Sequence, residues 1–186
     1  NNIYFDSLHM DNLYDNKCGT SKRIKVRIRW YGNLFGLIEK PVLELKIKDG
    51  YVGTKKRFSL MPFKLDSNIS FDSIIDVCGH SNIPEAVAEK MMLMQLTVMT
   101  RYSRKYFLSA DKKFRITIDW NMEYRTIDNI LNTFLNKKHD YLTTVLELKY
   151  SKQNDDYAHF ITNHFPFRYS KNSKFEVGAD NLFYYR

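Results

Sequence analysis

The chain has 186 residues, 44% of them hydrophobic and 15% aromatic, enough to bury a sizeable core as one domain. No apolar run approaches the roughly 18 to 20 residues of a membrane-spanning helix, and the opening NNIYFDS has neither the basic nor the apolar region of a signal peptide. The net charge of +8 makes a polyanion the natural partner, and nucleic acid, anionic lipid and polyphosphate all satisfy it until the arrangement of the charge is considered.

From the N-terminus, residues 3–7 start close to a strand, and Asp11 to Asp15 read as a short helical or loop segment. KVRIRW at 25–30 alternates with period two: Lys25, Arg27 and Arg29 share one face, and Val26, Ile28 and Trp30 the other. WYGN then marks a turn, as do Gly50 and Gly53. VLELKIK at 42–48 sets Glu44, Lys46 and Lys48 against Leu43, Leu45 and Ile47. In the short strand GTKKRFSL, register decides whether Lys55 with Arg57, or Lys56, joins that charged face.

A short helix is expected over 71–78, begun by Ser70 or Asp72, and a longer one from Ile83 to Thr97, rich in Ala, Glu, Lys, Met and Leu. Met91, Met92 and Met94 are read as packing residues. TRYSRKYFL forms a strand around Arg104, and FRITIDW sets Arg115, Thr117 and Asp119 against Phe114, Ile116, Ile118 and Trp120. The second VLELK, at 145–149, sets Glu147 and Lys149 against Leu146 and Leu148. A last helix is expected over 156–163, stopped before Pro166.

Five alternating strands thus carry a polar face dominated by cations. A half-solvated antiparallel sheet would explain the pattern, but the recurrence of Arg27, Arg29, Arg104 and Arg115 suits planar, bidentate phosphate contacts better. Closing such a sheet would gather the cations around one axis, where like charges 4 Å apart repel by about 4 kcal/mol at an effective dielectric near 20. A barrel of that kind needs an anion inside it. Glu44, Asp119 and Glu147 would offset part of the repulsion by pairing with lysines, or would bind a hard divalent cation through oxygen.

Other chemistries have less support. Cys18 and Cys78 form no CxxC and read as free thiols of a reducing compartment. His9, His80, His139, His159 and His164 are scattered without HExxH spacing, which argues against zinc. Tyr102, Tyr106, Phe165, Phe167 and Tyr169 lie near basic residues as base-stacking platforms can, but no RNP, KH or helix-turn-helix signature accompanies them, and nucleic acid is not the expected partner.

The runs IYFDS at 3–7, KVRIRWYG at 25–32, LELKIK at 43–48, KKRF at 55–58, YSRKYF at 102–107, FRITID at 114–119, VLELKYS at 145–151 and FPFRYSKNSKF at 165–175 occur in this order over nearly the whole chain. Together they resemble the polyphosphate polymerase domain of vacuolar transporter chaperone (VTC) proteins, within the CYTH-like triphosphate tunnel metalloenzymes. The resemblance implies an α+β fold: an antiparallel β-barrel forming a triphosphate tunnel, with helices packed outside. It further implies that Arg27, Arg29, Lys46, Arg104 and Arg115 hold the triphosphate, joined by Lys55 or Lys56, and that Lys171 and Lys174 meet the polyphosphate chain. Glu147 resembles the family's metal-binding glutamate, with Glu44 the further metal candidate, for Mn²⁺ or Mg²⁺.

Family domains place a strand and a helix before the YFD run. The expectation is therefore one tunnel domain over 1–186, either incomplete at its N-terminus or built as an open barrel, in which case phosphate binding is expected and catalysis is not. The implied activity transfers the terminal phosphoryl group of ATP to polyphosphate, in a cytoplasmic setting or at the cytosolic face of a membrane complex with a membrane partner protein. A tripolyphosphatase using the same tunnel and a non-catalytic polyphosphate or nucleotide sensor remain open alternatives. All three dispense with a protein nucleophile, consistent with the lack of a Ser/His/Asp or Cys/His constellation.

Overall fold

The computed structural model describes residues 1–50, 52–130 and 132–184. In chain order the strands are β1 (Asn2–Asp6), β2 (Lys22–Arg29), β3 (Gly36–Ile38), β4 (Val42–Asp49), β5 (Val52–Ser59), β6 (Phe63–Leu65), β7 (Gln95–Leu108), β8 (Phe114–Thr126), β9 (Lys137–Asp140) and β10 (Val145–Tyr150). The helices are α1 (Asp11–Cys18), α2 (Phe71–Gly79), α3 (Glu85–Met92), α4 (Asp155–Thr162) and α5 (Lys174–Ala179), with a π-helical turn at Asp180–Tyr184. The fold is α+β. Eight strands make one mostly antiparallel sheet with path β10-β8-β7-β1-β2-β4-β5, β9 pairs with β8, and β3 and β6 form a separate two-stranded sheet.

Among the described residues the sheet is not closed into a barrel. Among the described residues, β5 and β10 end the path, each paired on one side only. The free strand β5 is exposed along its length apart from a half-buried Phe58 and carries Lys55, Lys56 and Arg57, charged chemistry common on sheet edges.

Contacts divide the chain into two compact units. The first comprises Asn1–Arg101, Glu123–Lys138 and Lys174–Arg186, and the second Tyr102–Met122 and His139–Ser173. In the first unit, β2 and β4 alternate as read from the sequence and β1 is buried along its whole length, so that Ile3, Phe5, Val26, Ile28, Leu43 and Leu45 form one core with Ile74 and Cys78 of α2 and Val87 and Met91 of α3. Each such apolar side chain contributes about 1.5 to 3 kcal/mol by leaving water. Helices therefore cover the apolar face, as expected, and leave the charged face to other elements.

Local chemistry explains the helix ends. Asp6, the acid of the YFD run, is fully buried and accepts hydrogen bonds from the backbone N–H of Ser7 (2.8 Å), Asn12 (2.9 Å) and Leu13 (2.9 Å). It thereby ties β1 to the otherwise unpaired donors at the start of α1. Burial pushes the Asp6 carboxyl up despite those bonds. Ser70 and Ser73 form a reciprocal capping box on α2, which settles the start of that helix on Ser70.

The expected helix over 83–97 is shorter than its composition suggests. It stops at Met92, and Gln95 and Leu96 already pair with Asp6 and Phe5 of β1. Met91 is buried, Met94 half-buried and Met92 exposed, so only part of the methionine cluster packs. Long-range pairing with β1 overrides the helix propensity of the Leu-Met-Gln-Leu stretch.

The sequence reading had no helix at the C-terminus of the first unit, yet α5 docks there. Phe175 stacks on Tyr4 with centroids 4.9 Å apart, and Gly178 abuts the side chains of Val98 and Tyr124. In the second unit the expected polarity of β8 is partly inverted. Thr117 and Asp119 are buried, while Ile116, Ile118 and Trp120 on the opposite face stay half-exposed.

A methyl group at position 178 would lie 2.8 Å from both Tyr124 Cδ1 and Val98 Cγ1. Gly178→Ala is therefore expected to cost about 1 to 3 kcal/mol by overpacking, read as a lower urea midpoint. An unchanged midpoint would show that α5 is not seated by this contact.

Candidate functional site

The registers of β2, β4 and β5 lay the basic residues of the first unit in rows. Lys25 stands opposite Lys46, and Lys46 opposite Lys55; in the next row Arg27 faces Glu44, and Glu44 faces Arg57. Tyr4 extends the second row on the other side of Arg27. Residues directly opposite in an antiparallel pair share a face, so these side chains stand on one surface. Like charges opposite each other destabilise a sheet, and three lysines abreast is a costly arrangement unless something anionic answers it.

Glu44 answers part of it. Its side chain is 3% exposed and takes ion pairs from Arg27 (2.6 Å), Arg57 (3.1 Å), Lys55 (3.2 Å) and Arg29 (3.5 Å). Burial pushes the Glu44 carboxyl up, but Arg27, Arg29 and Lys55 more than cancel it and leave the pKa at about 2. Burial draws the Lys55 ammonium below its ordinary value, only partly offset by Glu44. On the flank, Glu176 of α5 lies 3.5 Å from Lys25, and the Arg29 guanidinium donates to Tyr31 Oη at 2.7 Å. Six cations thus face two carboxylates, and exposed Lys46 has no ion pair among the described residues.

Register also decides what the sequence left open. Lys55 shares the face of Glu44 and Lys46, whereas Lys56 stands opposite Leu45 on the other face. The same alternation adds Arg57, a residue absent from the sequence-derived set. Its signal was there, since Arg57 is two residues beyond Lys55, but without the β4 partner neither parity could be preferred.

In the second unit, Arg115 stands opposite Lys149, Thr117 opposite Glu147, and Asp119 opposite Val145. Arg104 is held by Asp119 through Nε and Nη2, the latter at 2.7 Å, and its guanidinium lies 5.2 Å and 5.7 Å from the Tyr102 and Tyr106 ring centroids. The Asp119 hydrogen bond raises the Arg104 pKa still further above its ordinary value. Arg115 is exposed, and Glu147 pairs with Lys149 at 2.9 Å. Lys171 is an exposed loop residue of this unit; Lys174 opens α5 in the first unit. Both parts of the chain therefore carry a basic strand face.

The two metal candidates differ in fit. Both oxygens of Glu44 are committed to cations, the half-buried Arg27 and Arg29 and the exposed Lys55 and Arg57, which suits charge balance and not a metal ion. Glu147 is 45% exposed and shares one oxygen with Lys149, a carboxylate able to take one place on a hard cation whose remaining ligands are water and phosphate oxygens. Among the described residues, no three His, Cys, Asp or Glu side chains gather as a metal-ligand group. A cavity of about 450 Å³ in the first unit, lined by Gln95, Thr97, Thr126, Asp128 and Asn129 among others, has no Lys or Arg in its wall and does not suit phosphate.

The VTC domain family model matches residues 1–183. The chain belongs to the VTC domain family. A VTC domain implies a polyphosphate-related function, and the family is associated with polyphosphate polymerase activity. No curated protein matches the chain. No helix of this VTC domain, among its described residues, is long and apolar enough to cross a membrane.

The depressed pKa of Glu44 fixes a sign. Its ionised form stabilises the fold at neutral pH, and that contribution is lost as pH falls from the ordinary carboxylate value of 4.5 towards 2. Glu44→Gln leaves its cations uncompensated and is expected to cost about 3 kcal/mol, roughly 6 to 12 °C in Tm at neutral pH and low salt. Tripolyphosphate should restore part of the loss, and the difference from wild type should shrink as pH approaches 2. Equal melting temperatures at pH 7 would refute the role given to Glu44.

Proposed function

We propose that this VTC domain binds nucleoside triphosphate and inorganic polyphosphate on its basic strand faces and transfers the terminal phosphoryl group of ATP to the polyphosphate chain. The observation that carries the reading is the row Lys25, Lys46, Lys55 beside the row Arg27, Glu44, Arg57. A polyanion with a negative charge on every phosphate matches cations repeated from strand to strand, and a compact anion would leave most of them unanswered.

In this reading Arg27, Arg29, Lys46 and Lys55 hold phosphates in the first unit, with Arg57 added from the register, while Arg104 and Arg115 do so in the second. Lys171 and Lys174 meet the polymer. A terminal phosphate oxygen of the polymer attacks the γ-phosphorus of ATP as the bond to the ADP oxygen breaks, so ADP leaves and the chain grows by one phosphate. The arginines and lysines spread the charge on the non-bridging oxygens and align the two ends, which is most of what such a transfer requires. Glu147 would hold Mg²⁺ or Mn²⁺, which supplies Lewis-acid neutralisation of the phosphate oxygens.

A closed triphosphate tunnel is the finer form of this proposal and requires a further strand on the free edge of β5 or β10. The setting proposed is the cytosolic side of a membrane, with a membrane protein as partner. A specific observation also favours simple binding: Arg104 is already fully engaged on one edge by Asp119, an arrangement compatible with capture of an anion without turnover.

Purified chain incubated with Mn²⁺ and either ATP or tripolyphosphate, with products resolved on a gel, separates these readings. Polymer from ATP is the expected outcome; orthophosphate from tripolyphosphate identifies a hydrolase, and binding without turnover identifies a sensor. Glu147→Gln should abolish metal-dependent turnover with an unchanged circular dichroism spectrum. Full activity in that variant would remove Glu147 from the metal site.

A further inference from the structure

The Arg104–Asp119 pair is more than charge balance. Asp119 is 1% exposed and takes the Nε and Nη2 edge of Arg104, whose side chain is 16% exposed. Tyr102 and Tyr106, two residues before and two after on β7, share the Arg104 strand face and lie close to the guanidinium. A guanidinium carries five N–H groups in one plane. The carboxylate engages its side edge, Tyr106 takes a further hydrogen bond from the guanidinium, and the N–H groups of Nη1 lie outside the Asp119 contact.

We propose that Asp119 is a positioning residue for phosphate binding, seating Arg104 so that the Nη1 edge of the guanidinium is held out as a preformed donor. The carboxylate is the more deeply buried partner, so an anion arriving from solvent meets the cation and not the acid beneath it. The first unit has the same carboxylate contact: Arg27 donates from Nε (2.9 Å) and Nη2 (2.6 Å) to buried Glu44, while its Nη1 donates to the Oη of buried Tyr4 at 3.4 Å. In each unit, then, a buried carboxylate on the neighbouring strand fixes the side edge of a strand arginine. Such support costs net charge at the site but removes the need to order a long side chain when the ligand binds.

This inference rests on the reading of Arg104 as a phosphate ligand. Its test is a double-mutant cycle on the full chain, with tripolyphosphate binding measured by calorimetry for wild type, Asp119→Asn, Arg104→Lys and the double variant. Asp119→Asn is expected to weaken binding roughly 10- to 100-fold, as loss of supporting contacts typically does, and to add less than about twofold in the Arg104→Lys background. Additive losses would mean that Asp119 acts on the fold alone and would overturn the proposal. Wild-type protein that fails to bind tripolyphosphate would overturn the site reading itself, a separate result.

A second measurement needs no Asp119 variant to fold. The Arg104 Nε–H resonance, assigned by its loss in Arg104→Lys, should exchange slowly with water in free protein and persist after tripolyphosphate is added. Fast exchange in the free state, or disappearance on binding, would show that the seat is not kept.

Discussion

Beside a row of three lysines, one buried carboxylate, Glu44, gathers Arg27, Arg29, Lys55 and Arg57. Without Glu44 the register of β2, β4 and β5 would bring Lys25, Arg27, Arg29, Lys46, Lys55 and Arg57 together with little to oppose their repulsion. At an effective dielectric near 20, each close pair costs about 4 kcal/mol at 4 Å, comparable to the whole margin by which a domain is stable. The apolar opposite face resists that load. Ile28, Leu43 and Leu45 are buried against α2 and α3, and the register cannot slip by one residue without exposing them.

This arrangement gives the charged face two functions that conflict. It must be neutral enough to fold without a ligand and basic enough to bind one. Glu44 and Asp119 reconcile them as buried partners of the arginines, neutralising them from inside. In the proposed function the polymer supplies the remaining negative charge, and binding and folding would then be linked through the same side chains.

The polar runs on 25–29, 42–48 and 145–149 announced strands with a charged face, because period-two alternation is a local property of the chain. The site was less legible. The parity of the KKR run could not be read, since Lys55 and Lys56 alternate on a short strand and only pairing with Leu45 and Lys46 tells them apart. Arg57 shares the parity of Lys55, so its place on the charged face is open in the sequence for the same reason. Methionine- and leucine-rich residues 92–97 were read as helix because their propensities favour it, and the pairing of Gln95 and Leu96 with β1 outweighed those propensities.

By itself the sequence determined the family, the alternating basic strands, the apolar face that the helices cover and the charge that calls for a polyanion, since each depends on residue identity and short-range spacing. Tertiary structure alone decided which cations stand side by side, which buried carboxylates they meet, and that β5 and β10 each pair on one side only among the described residues. Those features depend on register between strands distant in sequence, where a shift of one residue exchanges every inward side chain for an outward one.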